Sequence, residues 1–114
     1  MRWFLLIGFA CFQLLGFTQR SAPSIESRID ALLKDAQDSL YDNLPYSVKA
    51  GQQAVKLAQN HSLPTAEQKC YLSMAGFYEA YEDYELVVRN YDRAIAMGLP
   101  NTTRLQYRKL PYLE

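Results

Sequence analysis

The sequence predicts an all-α fold of tandem antiparallel helix hairpins, with about five helices following a signal peptide. Three observations support this prediction. Apolar residues recur at spacings of three and four from Ile25 onward, which is the period of one helix face. Helix-capping residues and turn prolines divide the chain at regular distances. No stretch shows the strict alternation of apolar and polar residues that is typical of a strand.

Residues 1–18 are predicted to be a signal peptide. Arg2 supplies a positive charge, and the run from Trp3 to Phe17 is almost entirely apolar. This run of about 15 residues is shorter than the ~20 that a membrane-spanning helix needs. Its length therefore fits the apolar core of a secretory leader better than a transmembrane span.

The end of the leader sets the expected location of the protein. Gly16 and Thr18 suit a cleavage site after Thr18, so we expect a periplasmic or secreted chain. The alternative is an uncleaved leader, stopped at Arg20, that anchors the chain in the membrane. Cys11 belongs to the leader, so cleavage leaves Cys70 as a lone cysteine and excludes an internal disulfide.

Length and charge limit the classes of partner. The 114 residues suffice for one domain, which we place at residues 24–110 after a short linker at residues 19–23. Twelve basic and twelve acidic residues balance to a net charge of zero. We therefore expect no nucleic-acid partner, and membrane contact only through an uncleaved leader.

The first two helices follow the linker. Ser24 can cap a first helix, whose apolar stripe stops near Tyr41. A second helix is predicted from about Pro45, where a missing N–H would be unpaired anyway, to Asn60. Gly51 lies in the interior of this helix, where glycine costs ~1 kcal/mol relative to alanine. We therefore expect a close contact with another helix at Gly51.

The third and fourth helices have clear boundary signals. The segment Thr65–Gln68 reads as a capping box, which predicts the start of the third helix at this point. A break at Glu82 and Asp83 leads into the fourth helix, and Gly98 is placed to end it.

A fifth helix is predicted from Asn101 or Thr102, either of which can cap it, to about Leu110. Two hairpins and one spare helix are fewer than the ~3 repeats that a stable stack usually needs. Leu105 and Leu110 would form an apolar face with no following helix to cover it. We therefore expect self-association, or marginal stability of the isolated chain.

Helices three and four carry a complementary packing pattern. Two antiparallel helices pack closely only where bulky residues on one meet small residues on the other. The third helix shows bulky residues around one small position, the fourth shows an aromatic residue among smaller ones, and Pro100 closes the unit. These packing residues are Tyr71, Met74, Ala75, Tyr78, Val87, Tyr91 and Ala94.

The same pattern occurs earlier in the chain. Ser47, Gly51 and Ala54 correspond to Val87, Tyr91 and Ala94, each displaced by 40 residues, whereas the loop prolines 64 and 100 are 36 apart. The difference of four residues is about one helical turn. The second helix should therefore be one turn longer than the fourth.

On these residues the chain resembles a tetratricopeptide repeat protein, with a more specific similarity to exported repeat segments of Bacteroidetes-type bacteria. The resemblance implies a stack of helix pairs whose first helices line a groove for peptides or partner helices. By position, the groove residues would be Lys69, Ser73, Phe77 and Ala80, with Asp38 or Gln37 on the first helix.

Two positions depart from the family pattern. Lys69 is the only basic residue in this predicted groove, which argues against capture of a C-terminal carboxylate. Glu82 stands where the family usually has glycine after the third helix, so the geometry of that turn could differ.

The sequence contains no set of residues typical of catalysis or metal binding. His61, the single histidine, lies in a polar loop, and Cys70 lies within a periodic helix where it is best interpreted as a packing residue. The acidic residues Glu79, Glu82, Asp83 and Glu85 match no calcium loop and are interpreted as a solvated helix end. We therefore predict no enzyme activity, no cofactor and no metal site.

Two functions remain open. The first is an exported, non-enzymatic module that binds a protein or peptide. The alternative is an extracytoplasmic sensory segment of a truncated two-component or regulatory signalling protein.

Overall fold

The computed structural model describes residues 24–113. The predicted signal peptide (with Cys11) and the linker at residues 19–23 lie outside this part of the chain. Residues 24–113 form five α-helices and a final 3₁₀ turn, with no strand: α1 Ile25–Asp38, α2 Leu44–Asn60, α3 Pro64–Ala80, α4 Tyr84–Ala96, α5 Thr102–Lys109 and the 3₁₀ turn Leu110–Tyr112. Each helix packs against the next one, and α1 also contacts α3. The predicted all-α fold of tandem hairpins is confirmed.

Side-chain caps start three of the helices. The Ser24 hydroxyl accepts a hydrogen bond of 3.1 Å from the backbone N–H of Ser27, as predicted for α1. Asn43 caps α2 and Asp83 caps α4 in the same way. Each cap satisfies one N–H group that the first helical turn would otherwise leave unpaired.

The predicted capping box at the start of α3 is wrong. The helix begins at Pro64, and no side chain caps its first turn. Proline suits the first helical position, because its φ angle is already helical and it has no N–H to satisfy. Thr65 consequently lies inside the helix, one position too late for its hydroxyl to act as the cap.

Gln68, the last residue of that expected box, has a different role. Its side chain is 4% exposed and pairs with the Asn101 side chain through two N–H···O hydrogen bonds of 2.9 Å. Gln68 also donates to the carbonyl of Ala94 at 3.1 Å. Asn101 precedes α5 as expected, but its amide is used in this pairing and does not cap the helix.

The close contact predicted at Gly51 is confirmed. A Cβ atom added to Gly51 would lie 2.8 Å from Cγ and 3.2 Å from Sδ of Met74. The missing side chain therefore lets α3 approach α2. The expected difference in length is also confirmed, since α2 has 17 residues and α4 has 13, a difference of about one turn.

The turns place three residues in the left-handed region of backbone conformation. Gly98 has φ of 70° and follows the last residues of α4, where glycine is favoured. Ser62 (52°) and Glu82 (59°) adopt similar angles without being glycine. Glu82 thus keeps a turn conformation that a glycine would adopt, so its presence does not change the type of turn.

The C-terminal part of the fold differs from the prediction. Leu105 is 1% exposed and packs with Ala75, Val87 and Tyr91 of the preceding hairpin, so the expectation that it is uncovered is wrong. The reason is that α5 turns its Leu105 face back onto α3 and α4. Leu110 remains exposed, and α5 ends at Lys109 because the 3₁₀ turn begins there.

Candidate functional site

A cleft of about 310 Å³ lies between the first turns of α1 and α3. An apolar floor and a polar rim form it, contributed by both helices and by the α2–α3 turn: Glu26, Ile29, Asp30, Leu63, Pro64, Thr65, Ala66 and Lys69. Ile29 is 1% exposed and belongs to the core of α1, α2 and α3, so the floor is held by packed structure. The volume is at the lower end of the ~300–1,000 Å³ typical of ligand sites. It suffices for a few side chains of a bound segment.

An ion pair crosses the cleft. Nζ of Lys69 on α3 lies 2.8 Å from Oδ1 of Asp30 on α1. Both side chains are about 60% exposed, so this pair contributes about 0–1 kcal/mol to stability. A ligand can therefore replace it at low energetic cost.

The rim has one acidic group that is left without an ionic partner. Within residues 24–113, Glu26 forms no ion pair, whereas Asp30 and Lys69 neutralise each other. The cleft thus has a formal charge of −1. Its carboxylate is available to a basic group on a ligand.

The first turn of α3 also faces the cleft. Because no side chain caps this helix, the N–H groups of Thr65 and Ala66 have no partner from a capping side chain. Both residues line the cleft. The site can therefore accept hydrogen bonds through Glu26 and donate them through the helix start, which suits the alternating donors and acceptors of a peptide.

The structure distributes the predicted groove residues over different environments. Lys69 lies in the cleft, Ser73 is half-buried and Ala80 is exposed. Gln37 and Asp38, both exposed on α1, are not among the residues that line the cleft.

The prediction that Phe77 faces a groove is wrong. Phe77 is 1% exposed and lies in a core cluster with Ala36, Leu40, Ala50 and Met74. The small side chain of Ala36 lets Phe77 fill the space between α1 and α3, so the groove is closed at this level. It remains open only at the Lys69 end.

Sequence analysis missed the α1 side of the cleft, although the repeat spacing contains the information. Counting 40 residues back from Lys69 gives Ile29, and Asp30 is its neighbour. Applying the displacement of the second helices to the first helices would have placed Ile29 and Asp30 beside Lys69, in preference to Gln37 and Asp38.

The packing residues divide between two clusters. Ala75, Val87, Tyr91 and Ala94 are buried together with Leu105, and the half-buried Tyr71 and Tyr78 pack against them. Met74 lies instead on the other side of α3, against Gly51 and Phe77. Helix α3 therefore joins the two hairpins through its two faces.

The remaining reactive groups are far from an obvious catalytic arrangement. Cys70 is fully buried, and burial, followed by the nearby Glu67 carboxylate, raises the pKa of its thiol to about 11. His61 is exposed in the α2–α3 turn. Among the described residues, no group of three or more His, Cys, Asp or Glu side chains is placed to hold a metal ion.

Hydrogen bonds and burial also hold three tyrosine hydroxyls in the protonated form. The Asp35 carboxylate accepts a hydrogen bond from Tyr46 and raises its pKa. Burial, followed by a 3.0 Å hydrogen bond to Glu67, raises the pKa of Tyr71. Interaction with Glu79 raises the pKa of Tyr112 to about 12. These groups are therefore structural contacts between helices at neutral pH.

Comparison of the chain with models of known protein families, with curated proteins and with solved structures gives no match. Within residues 24–113, no helix combines the length and the apolar character needed to cross a bilayer.

Proposed function

We propose that this protein is an exported, non-enzymatic binding module of the tetratricopeptide repeat type, which holds a protein or peptide segment in the α1–α3 cleft. The cleft is the observation that carries the proposal. It lies between the first helices of two successive hairpins, where the resemblance to this repeat family places a ligand groove. The predicted leader supports the exported location.

The chemistry of the lining favours a particular kind of segment. Ile29, Leu63 and Ala66 offer an apolar surface to an aliphatic side chain. Glu26 offers a carboxylate to a neighbouring basic side chain, whose alkyl stem can also cover the apolar floor. We therefore expect a partner segment with an aliphatic residue close to a lysine or arginine.

The state of the two nucleophile candidates supports a role without catalysis. The Cys70 thiol is fully covered and remains protonated at neutral pH, whereas a nucleophilic cysteine must be an accessible thiolate. His61 is the only histidine in the sequence and lies in an exposed turn, without a described hydrogen-bonded carboxylate to orient it.

The test is selection of peptides from a displayed random library on the immobilised full chain, followed by measurement of Kd for the enriched peptides. We expect enriched sequences that combine aliphatic and basic residues. Thr65→Trp, which places a large ring at the exposed edge of the cleft, should raise Kd at least about tenfold, equivalent to ~1.4 kcal/mol. Glu26→Gln should weaken the basic peptides selectively.

The matched control is Gln52→Trp, which adds the same ring at an exposed position of α2 that does not line the cleft. Its Kd should equal that of the unmodified chain. Equal binding by Thr65→Trp, or enrichment of acidic peptides that Glu26→Gln does not affect, would contradict the proposed cleft.

A further inference from the structure

The exposed apolar side chains of the described residues occur on two surfaces. Within residues 24–113, seven large apolar side chains are exposed: Tyr41, Tyr46, Tyr81, Tyr84, Tyr107, Leu110 and Leu113. The first four lie at the α1–α2 and α3–α4 turns, which we call the turn surface. The last three lie on α5 and the residues after it, which we call the C-terminal surface. Exposed apolar side chains collected in this way are typical of interaction sites.

The turn surface is acidic. Residues 35–48 contain three aspartates and residues 77–88 contain four acidic residues, and neither segment contains a lysine or an arginine. The Tyr81 hydroxyl donates a hydrogen bond of 2.6 Å to the carbonyl of Leu40, which joins the two turns. Tyrosine rings and carboxylates therefore form one continuous surface, suited to a partner that is both apolar and basic.

The C-terminal surface has that composition. Residues 102–113 contain Arg104, Arg108 and Lys109 and no acidic residue. Tyr107 is 70% exposed and Leu110 is 54% exposed. Within residues 24–113, Arg104 forms no ion pair, whereas Lys109 is paired with Asp92 at 2.8 Å.

The fold already contains one contact of the kind that these two surfaces would form. The guanidinium carbon of Arg108 lies 5.7 Å from the centre of the Tyr91 ring. Tyr112 stacks beside the same ring at 6.0 Å and contacts Tyr84 at 5.8 Å. Arginine on a tyrosine ring is a favourable arrangement, with ~0.5–1 kcal/mol at an exposed site.

We propose that the C-terminal surface of one copy of this chain docks on the turn surface of a second copy. Opposite charges and exposed apolar side chains make the two surfaces complementary, whereas two turn surfaces would repel each other. Because the two surfaces differ, the contact is head-to-tail and open-ended. None of the residues that line the α1–α3 cleft belongs to either surface, so this inference is independent of the proposed function.

Sedimentation velocity of the full chain over a range of concentrations tests the proposal. We expect the weight-average sedimentation coefficient to rise with concentration at low salt. The rise should be smaller at about 1 M salt, where the Debye length is ~3 Å and exposed charges no longer attract each other. A single monomeric species at every concentration in low salt would overturn the proposal.

Charge reversal identifies the surfaces. Asp42→Lys with Glu82→Lys reverses the turn surface, and Arg104→Glu with Gln106→Glu reverses the C-terminal surface; all four side chains are exposed. Each double variant alone should remain monomeric. An equimolar mixture of the two should associate, because the acidic C-terminal surface of one then meets the basic turn surface of the other.

The control variant, Gln52→Glu with Lys56→Glu, makes the same charge change as Arg104→Glu with Gln106→Glu on an exposed face of α2. It should associate like the unmodified chain, and circular dichroism checks that every variant is helical. Association that persists unchanged in both surface variants, or a mixture that stays monomeric while the unmodified chain associates, would refute the pairing of these two surfaces.

Discussion

Substitution of Gly51 by alanine should destabilise the protein, although alanine is the better helix former. Alanine in place of glycine in a helix interior contributes about 1 kcal/mol. The added Cβ, however, would lie 2.8 Å from Cγ of Met74, a carbon in the middle of a side chain that is only 3% exposed. Overpacking of this kind costs about 1–3 kcal/mol. We therefore expect a net loss of about 1 kcal/mol in the free energy of unfolding.

Gly76→Ala is the matched control. Gly76 lies in the interior of α3 and is exposed, and a Cβ atom there would have no neighbour within 4 Å. This variant should gain about 1 kcal/mol, because only the helix propensity changes. For a domain of this size, the two variants should shift the melting temperature in opposite directions, by ~4–8 °C per kcal/mol.

Urea denaturation monitored by circular dichroism measures both values, and a double-mutant cycle identifies the cause. In the Met74→Ala background the obstructing side chain is gone, so Gly51→Ala should become neutral or stabilising, with a coupling of about 1–2 kcal/mol. If Gly51→Ala stabilised the otherwise unmodified chain as much as Gly76→Ala does, the close approach of α2 and α3 at this point would be refuted.

Three further predictions concern the turns, the buried thiol and the leader. Glu82→Gly and Ser62→Gly should each raise the free energy of unfolding by about 0.5–1 kcal/mol in urea titrations, because both residues have left-handed φ angles that disfavour side chains; a loss of stability in both would contradict this. Burial raises the pKa of Cys70 from 9.0 to about 11, so the folded state binds this proton more tightly. Its contribution to stability is complete below pH 9 and is lost as the pH rises towards 11, and Cys70→Ala should therefore show a shallower alkaline fall in melting temperature; an identical slope would exclude this role of the thiol. N-terminal sequencing of the exported protein should begin at Gln19, and an intact leader would instead indicate membrane anchoring.

Local patterns in the sequence predicted much of the fold. The spacing of apolar residues determined the number of helices, and the residue types at Ser24 and Gly51 indicated a cap and a close contact. The mismatch between the repeat spacing and the proline spacing correctly indicated the longer α2. Each of these features depends on residues within one or two turns of each other, which is the range over which sequence patterns are informative.

The errors concern the rotation of one helix against another. Periodicity identified Phe77 and Leu105 as helical positions, but it could not show which neighbour each side chain faces. Phe77 is buried because Ala36 on α1 leaves room for it, and Leu105 is buried because α5 folds back on the preceding hairpin. The position of the cleft followed from these contacts and could not be predicted from α3 alone.

The position of ligand-induced changes along α3 tests the central claim most directly. Chemical shifts of the backbone amides of the full chain would be recorded with and without a selected peptide. We predict the largest changes at Ile29, Thr65, Ala66 and Lys69, around the open end of the α1–α3 cleft, and small changes around the buried Phe77. Changes concentrated on α4, or spread evenly over all five helices, would contradict binding between the first helices of the two hairpins.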